Sequence, residues 1–469
     1  MTSKPRKSKS PSRKQQTQTA KNSSARATAI DILLGRQTAN TPVDGFFNKL
    51  TTQLSPRDRG FAKTLVYGVL RQKQYLDFII EQFSKHPLKK MKPRTLVTLE
   101  TGVYQLLFLD RIPPSAAVHA TIDTLKDAGQ PRWLQGFANG ILRNVTRKKD
   151  ALPTPEQAQT KGYPILNHPG WMIDRWQHQF GKKKSEDICR LNNTEPLLTL
   201  RVNTRVMPRG ELVTAFTQQN IEAVNCTHSN LGIHLPSYTG MVTDLPGFPQ
   251  GAFQVQDESA QLATVLLGSL HDKNRILDGC AGLGGKTSHL AQLVADHGEI
   301  IAVEPDQRRA NLLLENLTRL QLNQQTTIVQ SSLEAFAATR PQGFDAILLD
   351  VPCSGTGVIR RHPDIRWNRC PSDIAELQKN QIQLLTIGAS LLNPGGILVY
   401  ATCSMEPEED EENIARFLAA TPNYSIVDAR TLLPATAHCF VDAQGLFKPL
   451  PTPTNDGFFA AALQYAPAL

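Results

Sequence analysis

Two cysteines and one acid stand where a sheet-based enzyme would keep its reactive groups. Residues 344–357 read Phe-Asp-Ala-Ile-Leu-Leu-Asp-Val-Pro-Cys-Ser-Gly-Thr-Gly, a short apolar run that ends in Asp350, a proline and Cys353. Fifty residues on, residues 395–404 read Gly-Gly-Ile-Leu-Val-Tyr-Ala-Thr-Cys-Ser and deliver Cys403 in the same manner. Runs with no polar side chain on either face predict central strands buried on both sides. In open parallel sheets, ligands bind at the carboxyl ends of such strands. One turn of this kind could be a tight bend with an incidentally buried thiol; its repetition argues against that. Two neighbouring strands would aim two thiols and a carboxylate into one cleft. That set suits covalent catalysis, with one thiol attacking and the other assisting release.

A second cluster concerns a cofactor. Residues 278–287 read Asp-Gly-Cys-Ala-Gly-Leu-Gly-Gly-Lys-Thr, following one predicted strand and opening a helix. Glycines there let backbone approach a ligand at a helix N-terminus. A phosphate-binding P-loop needs glycine where Cys280 stands, and a dinucleotide fingerprint starting at Gly282 needs glycine where Thr287 stands. S-adenosylmethionine, a nucleoside with no pyrophosphate to cradle, is the third reading, with the dinucleotide left as a weak one. Cys280, Ala281, Gly282, Leu283, Gly284, Gly285 and Lys286 would line it. Glu304, twenty residues after Gly284 and at the end of the next strand, can accept both ribose hydroxyls of any adenosine. A methyl donor beside two thiols and Asp350 fits one reaction well. Carbon 5 of a pyrimidine is a poor nucleophile until a thiolate adds to carbon 6, and an acid at N3 favours that addition. Which thiol attacks is not set by the spacing.

The elements that would carry these groups divide the chain of 469 residues into parts. Residues 24–148 show apolar positions at helical spacing with Pro/Gly breaks, an all-α bundle. Residues 149–253 hold a Pro/Ala/Gln linker and a small α+β accessory module, where Arg201 and Lys182 to Lys184 read either as RNA contacts or as solvated charge. From residue 254 to 469, strand and helix alternate as in a doubly wound, Rossmann-like α/β domain. Its last strand is expected at residues 455–463, after a hairpin.

Composition narrows the class. The formal charge is +9, yet residues 1–26 hold eight basic side chains and no acid, leaving 43 basic against 42 acidic residues elsewhere. Residues 1–23 are expected to be a disordered basic tail able to tether a polyanion. No run reaches the roughly 18 apolar residues of a membrane span. Seven cysteines without C-x-x-C pairing speak against structural zinc and a disulfide framework, so no metal and a cytoplasmic setting are expected.

The stretch Cys280 to Thr287, the run Asp350-Val-Pro-Cys-Ser-Gly-Thr-Gly-Val-Ile-Arg-Arg-His-Pro-Asp-Ile-Arg-Trp367 and Tyr400-Ala-Thr-Cys-Ser404 together resemble the RNA 5-methylcytosine methyltransferase (Sun) family. Leu54 to Arg59, Tyr104 to Phe108 and Gly136 to Arg143 resemble a NusB-like RNA-binding domain, as in the bacterial 16S ribosomal RNA branch of that family. The resemblance implies S-adenosylmethionine as donor, a cytosine of 16S ribosomal RNA as acceptor, action on a free or partly assembled small subunit, and a monomer. It makes Cys403 the nucleophile, Cys353 the group assisting release, and Asp350 a contact to cofactor and base. The chain departs from the family pattern at Gly282-Leu283 (usually Ala-Pro), at Glu304 (usually Asp) and at Ser331-Ser332, where an adenine-side acid is usual. Arg360, Arg361, Arg366 and Trp367 are expected to hold phosphates and stack a base beside the cleft. The other readings are an RNA chaperone or antitermination factor that kept the fold, and a DNA cytosine methyltransferase, in which the Pro-Cys thiol would attack.

Overall fold

The computed structural model describes residues 24–38, 42–159 and 166–466; the basic tail lies outside the described residues. Helices Ala25–Thr38, Val43–Leu50, Pro56–Phe83, Pro93–Phe108, Pro114–Asp127 and Arg132–Lys148 form the N-terminal bundle. Pro56, Pro93 and Pro114 open three of them, where a missing N–H costs no hydrogen bond. The Ser55 hydroxyl caps the longest, accepting from the Asp58 amide at 3.1 Å. Leu65, Val69, Leu76, Leu99, Val103 and Leu142 fill the bundle's centre. Gly68 sets the approach of two helices, since a Cβ there would fall 2.0 Å from the Tyr104 ring.

After helices Gly170–Phe180 and Lys182–Asn192 comes a small antiparallel sheet of β1 (Leu198–Val202), β2 (Val224–Asn225), β3 (Gly232–Leu235) and β4 (Phe253–Val255), in the order β2-β3-β1-β4. Helix Arg209–Gln218 covers it through Leu212 and Phe216.

The C-terminal sheet has seven strands: β5 (Arg275–Asp278), β6 (Glu299–Val303), β7 (Thr326–Val329), β8 (Phe344–Asp350), β9 (Leu392–Thr402), β10 (Tyr424–Val427) and β11 (Phe459–Tyr465). Their order is β10-β11-β9-β8-β5-β6-β7, with β5 to β9 parallel and β11 antiparallel between β9 and β10. Both faces are covered. Leu277, Ile347, Leu349 and Leu398 pack toward Leu384 and Leu385, while Ile276, Ala346, Leu348 and Val399 pack toward Leu290, Leu313 and Leu317. That two-sided burial is why these strands read as unbroken apolar runs.

Strand order reverses at β5, and the register brings the reactive ends together. Asp278 pairs with Leu348 and Asp350 with Ala401, so the segments after β5, β8 and β9 leave the sheet side by side.

Two expectations are corrected here. The last strand starts at Phe459 rather than 455; the hairpin ahead of it is a small one, Val441 bridging Phe447 across the turn at Asp442 to Gly445, with Phe447 bridging on to Ala460. Asn455 and Asp456 are instead buried, bonding Ser259 and Arg361. Nor do the basic residues after Cys353 face a nucleic acid. Arg366, 1 % exposed, donates to the Asn167 carbonyl (2.8 Å), the Asn192 carbonyl (2.9 Å) and Asn193 Oδ1 (2.6 Å). Arg360 donates to the Pro453 carbonyl at 3.1 Å, and Arg361 to Asp257 at 2.8 Å. The Trp367 ring packs on the helical bundle's core, with its Nε1–H donating to the Leu70 carbonyl at 2.8 Å. Arg366 and Trp367 latch the domains together, while Arg360 and Arg361 tie the segment after Cys353 to the rest of the sheet domain.

Candidate active site

The glycine-rich turn is held from beneath. Asp278, fully buried at the end of β5, accepts from the Thr287 hydroxyl at 2.7 Å, and burial pushes its carboxyl up to about 6. The Gly279 amide donates to the Leu348 carbonyl at 2.9 Å and the Ala281 amide to the Val303 carbonyl at 3.0 Å, stitching the turn to β8 and β6. Gly284 sits at φ +86°, and a Cβ there would fall 2.3 Å from Leu313 Cδ1. At Gly282 and Gly285 a Cβ would meet nothing within 4 Å, so the upper side of the turn is open. Leu283 is half exposed beside it.

Arg201 has a role other than either sequence reading. It is 1 % exposed on β1 and donates to the Gly285 carbonyl at 2.6 Å and to Ser288 Oγ at 2.7 Å. Burial pulls its guanidinium down to about 9. The small module thus braces the turn that opens helix Thr287–Leu293. Lys182, Lys183 and Lys184 lie elsewhere, lining a surface hollow with Phe180, Leu450 and Pro451.

Glu304 follows β6 and is buried, its carboxylate accepting from the Asp306 amide at 2.8 Å. That bond uses one carboxylate oxygen and leaves the other for a diol, and with the open side of the turn at Gly282 and Gly285 this fits a nucleoside. Ser332 is spent as a helix cap, its hydroxyl accepting from the Ala335 amide at 3.2 Å. Cys280 lies in the turn with its thiol pushed well up by burial and by Asp278 and Asp350.

Beyond β8 and β9 the two cysteines converge, Sγ to Sγ at 3.2 Å. The hydrogen bond to Cys403, then burial, push the Cys353 thiol well up. The same contact outweighs burial and the negative charge of Asp350 and holds Cys403 below the ordinary thiol value, with Lys286 and His362 adding positive charge. The two sulfurs titrate as a pair, with Cys403 the more readily ionised of the two. Asp350 accepts from Lys286 Nζ of the glycine-rich turn at 2.6 Å, and that ammonium also sits 4.9 Å from the Phe458 ring.

Sequence reasoning missed the residue that fixes both cysteine turns. Glu409, fully buried, accepts from the Ser354 amide (2.8 Å), the Ser404 hydroxyl (2.5 Å) and Gln381 Nε2 (2.8 Å). A signal was present. Glu406, Glu409, Asp410 and Asn413 keep an i, i+3, i+4, i+7 spacing through the turn before helix Glu411–Ala420 and into it, and all four are buried.

Among the described residues, no helix is long and apolar enough to cross a membrane. Three family models match the chain: the 16S rRNA methyltransferase RsmB/F family over residues 264–464, the NusB family over 23–147, and the RsmF/B-like ferredoxin-like domain over 168–241. The ribosomal RNA small subunit methyltransferase B of Pseudomonas putida is 36 % identical over 87 % of this chain and 90 % of its own length. The Yersinia enterocolitica protein of the same name is 36 % identical over 93 % and 97 %. Among solved structures, a methyltransferase homologue from Pyrococcus horikoshii is 27 % identical with TM-score 0.55, covering 64 % of this chain and 96 % of its own. The solved chain PH0851, 24 % identical, shares the fold over 95 % of this chain and 99 % of its own at TM-score 0.76. On these matches the chain belongs to the 16S ribosomal RNA methyltransferase RsmB/F family of S-adenosylmethionine-dependent enzymes.

Proposed function

We propose that this protein methylates carbon 5 of a cytosine in 16S ribosomal RNA through a covalent bond between Cys403 and carbon 6. The observation that carries this reading is the 3.2 Å approach of Cys353 and Cys403 beside the Lys286–Asp350 pair. Residues 280–286 and Glu304 would hold S-adenosylmethionine, which supplies an electrophilic methyl group when bound. Cys403 enters as thiolate and adds to carbon 6, pushing electrons toward N3, where Asp350 stabilises the proton taken up. Carbon 5, now enamine-like, takes the methyl group. Loss of the carbon 5 proton then restores the double bond and expels the Cys403 thiolate; Cys353 can take that proton once its own thiol proton has passed to solvent. The base must leave its stack to reach half-buried sulfurs. Residues 24–148 would dock the RNA, 149–253 would brace the cofactor turn, and 254–469 would carry the chemistry.

Incubation with 16S RNA containing 5-fluorocytidine tests the assignment, because fluorine at carbon 5 blocks the final elimination. Wild type and Cys353→Ser should form a denaturation-resistant adduct, and Cys403→Ser should not. An adduct that survives in Cys403→Ser and vanishes in Cys353→Ser would reverse the thiol roles. No adduct with any form would sink the covalent route.

A further inference from the structure

Where the small sheet meets the first helix of the C-terminal domain, three side chains with metal-binding atoms converge. Cys226 follows β2, His234 lies on β3, and Glu258 begins helix Glu258–Val265. All three are buried, at 7 %, 5 % and 1 % exposure. His234 Nε2 stands 3.3 Å from Cys226 Sγ and 3.8 Å from Glu258 Oε2, and the three ligand atoms all lie within 4.8 Å of one another. Glu258 Oε1 is spent on the backbone, accepting from the Ser229 amide at 2.8 Å and the His228 amide at 2.5 Å. Oε2, equally buried, has no hydrogen-bond partner among the described residues. A carboxylate oxygen withdrawn from water and left without a partner is costly.

We propose that Cys226, His234 and Glu258 bind a divalent cation of the zinc class, which ties the small module to the C-terminal domain. Thiolate, imidazole and carboxylate together suit zinc, whereas magnesium and calcium take oxygen ligands. Tetrahedral zinc, with bonds of about 2.0–2.3 Å, keeps such ligand atoms about 3.3–3.6 Å apart. The observed 3.3 and 3.8 Å separations need little adjustment to accept it. Thiolate and carboxylate balance the two positive charges, the Cys226 proton leaves to solvent, and neutral His234 lends the Nε2 lone pair. With the ion on Nε2, the ring proton sits on Nδ1 and donates to Thr199 Oγ1, 3.1 Å away, the kind of outer contact that orients a ligating imidazole. Gly232 leaves room for the thiol, since a Cβ there would fall 2.5 Å from Cys226 Sγ. Three protein ligands leave a fourth position for water. Thr199 stands two residues before Arg201 on β1, so the ion would anchor the strand that braces the cofactor turn. Spacing along the chain hides the site, because its ligands come from three separate elements.

Full-length protein stripped with a chelator, incubated with zinc chloride and desalted should carry one zinc per chain by plasma mass spectrometry. The Cys353→Ser/Cys403→Ser double variant should keep that zinc, which excludes the converging thiols as its holders, and Cys226→Ser should lose it. Thr199→Val keeps the side-chain shape and all three ligands, and should weaken zinc about 10- to 100-fold in competition with a chromophoric chelator. Should Cys226→Ser fail to fold, cobalt(II) added to the double variant decides, with a thiolate-to-cobalt charge-transfer band expected. Wild type that takes up no zinc, zinc that disappears with Cys353 and Cys403, or a double variant without the cobalt band would overturn the proposal. So would unchanged zinc affinity in folded Cys226→Ser or in Thr199→Val. The three side chains would then be a hydrogen-bonded cluster and nothing more.

Discussion

Glu409 and Ser354 are joined by a 2.8 Å hydrogen bond from the Ser354 amide, one residue past Cys353, to a carboxylate with no exposed surface. The other oxygen of that carboxylate takes the Ser404 hydroxyl, one residue past Cys403. A single side chain therefore sets the spacing of two turns that come from different strands. Glu409→Gln swaps an acceptor for a donor facing these turns. It should cost about 1–3 kcal/mol of stability, the penalty for a buried unsatisfied group, measured by urea unfolding. Single-turnover methylation of ribosomal RNA should fall about 10- to 100-fold through misplaced sulfurs. Full activity in a folded Glu409→Gln variant would show that the turns hold their geometry unaided.

Asp278 gives a pH signature with a definite sign. Its carboxyl titrates at about 6 in the native protein, against an ordinary value of 3.8. Between those values the native state binds more protons than the unfolded chain, so stability falls as pH rises through that window. The full loss should be about 2–3 kcal/mol, complete by about pH 7. Asp278→Asn, which cannot titrate there, should lack that component of the slope. Urea-unfolding free energies collected from pH 4 to 7 make the comparison, and parallel curves for both proteins would refute it.

Trp367 is the hinge pin of the latch between domains. Its ring packs on the bundle core, and its Nε1–H donates to the Leu70 carbonyl. Trp367→Ala should destabilise the protein by about 2–4 kcal/mol through lost packing. Calorimetry should then resolve the bundle's melting from that of the sheet domain. Trp367→Phe keeps most of the packing but orphans the carbonyl, so a loss of about 1 kcal/mol is expected. A single unshifted transition for Trp367→Ala would mean the domains adhere through other contacts.

The strands bearing Cys353 and Cys403 were readable in advance because a sheet buried on both faces leaves unbroken apolar runs, and reactive residues follow where those runs stop. The bundle was readable from its proline starts and helical spacing. The basic run from Arg360 to Trp367 was misread for a physical reason. Charge in a sequence does not say which surface meets it, and the acceptors for Arg366 lie at Asn167, Asn192 and Asn193, more than 170 residues upstream. Arg201 misled in the same way, its acceptors at Gly285 and Ser288 lying in another domain. Glu409 hid inside an acidic run that looks fit only for solvent, although its spacing to Glu406 and Asn413 marked an inward face. Local pattern reports which backbone conformation a segment prefers; it carries no record of distant partners.

The placement of β11 has a bearing on biosynthesis. This strand, residues Phe459–Tyr465, inserts between β9 and β10, both of which precede it in the chain. Just before it, the Gly457 amide donates to the Gly357 carbonyl at 3.0 Å in the turn beside Cys403. During translation β9 must therefore wait as an unpaired edge, an aggregation hazard, until the ribosome has delivered residue 465. The nascent polypeptide is thus denied a finished turn beside Cys403 until a segment downstream of both cysteines has docked.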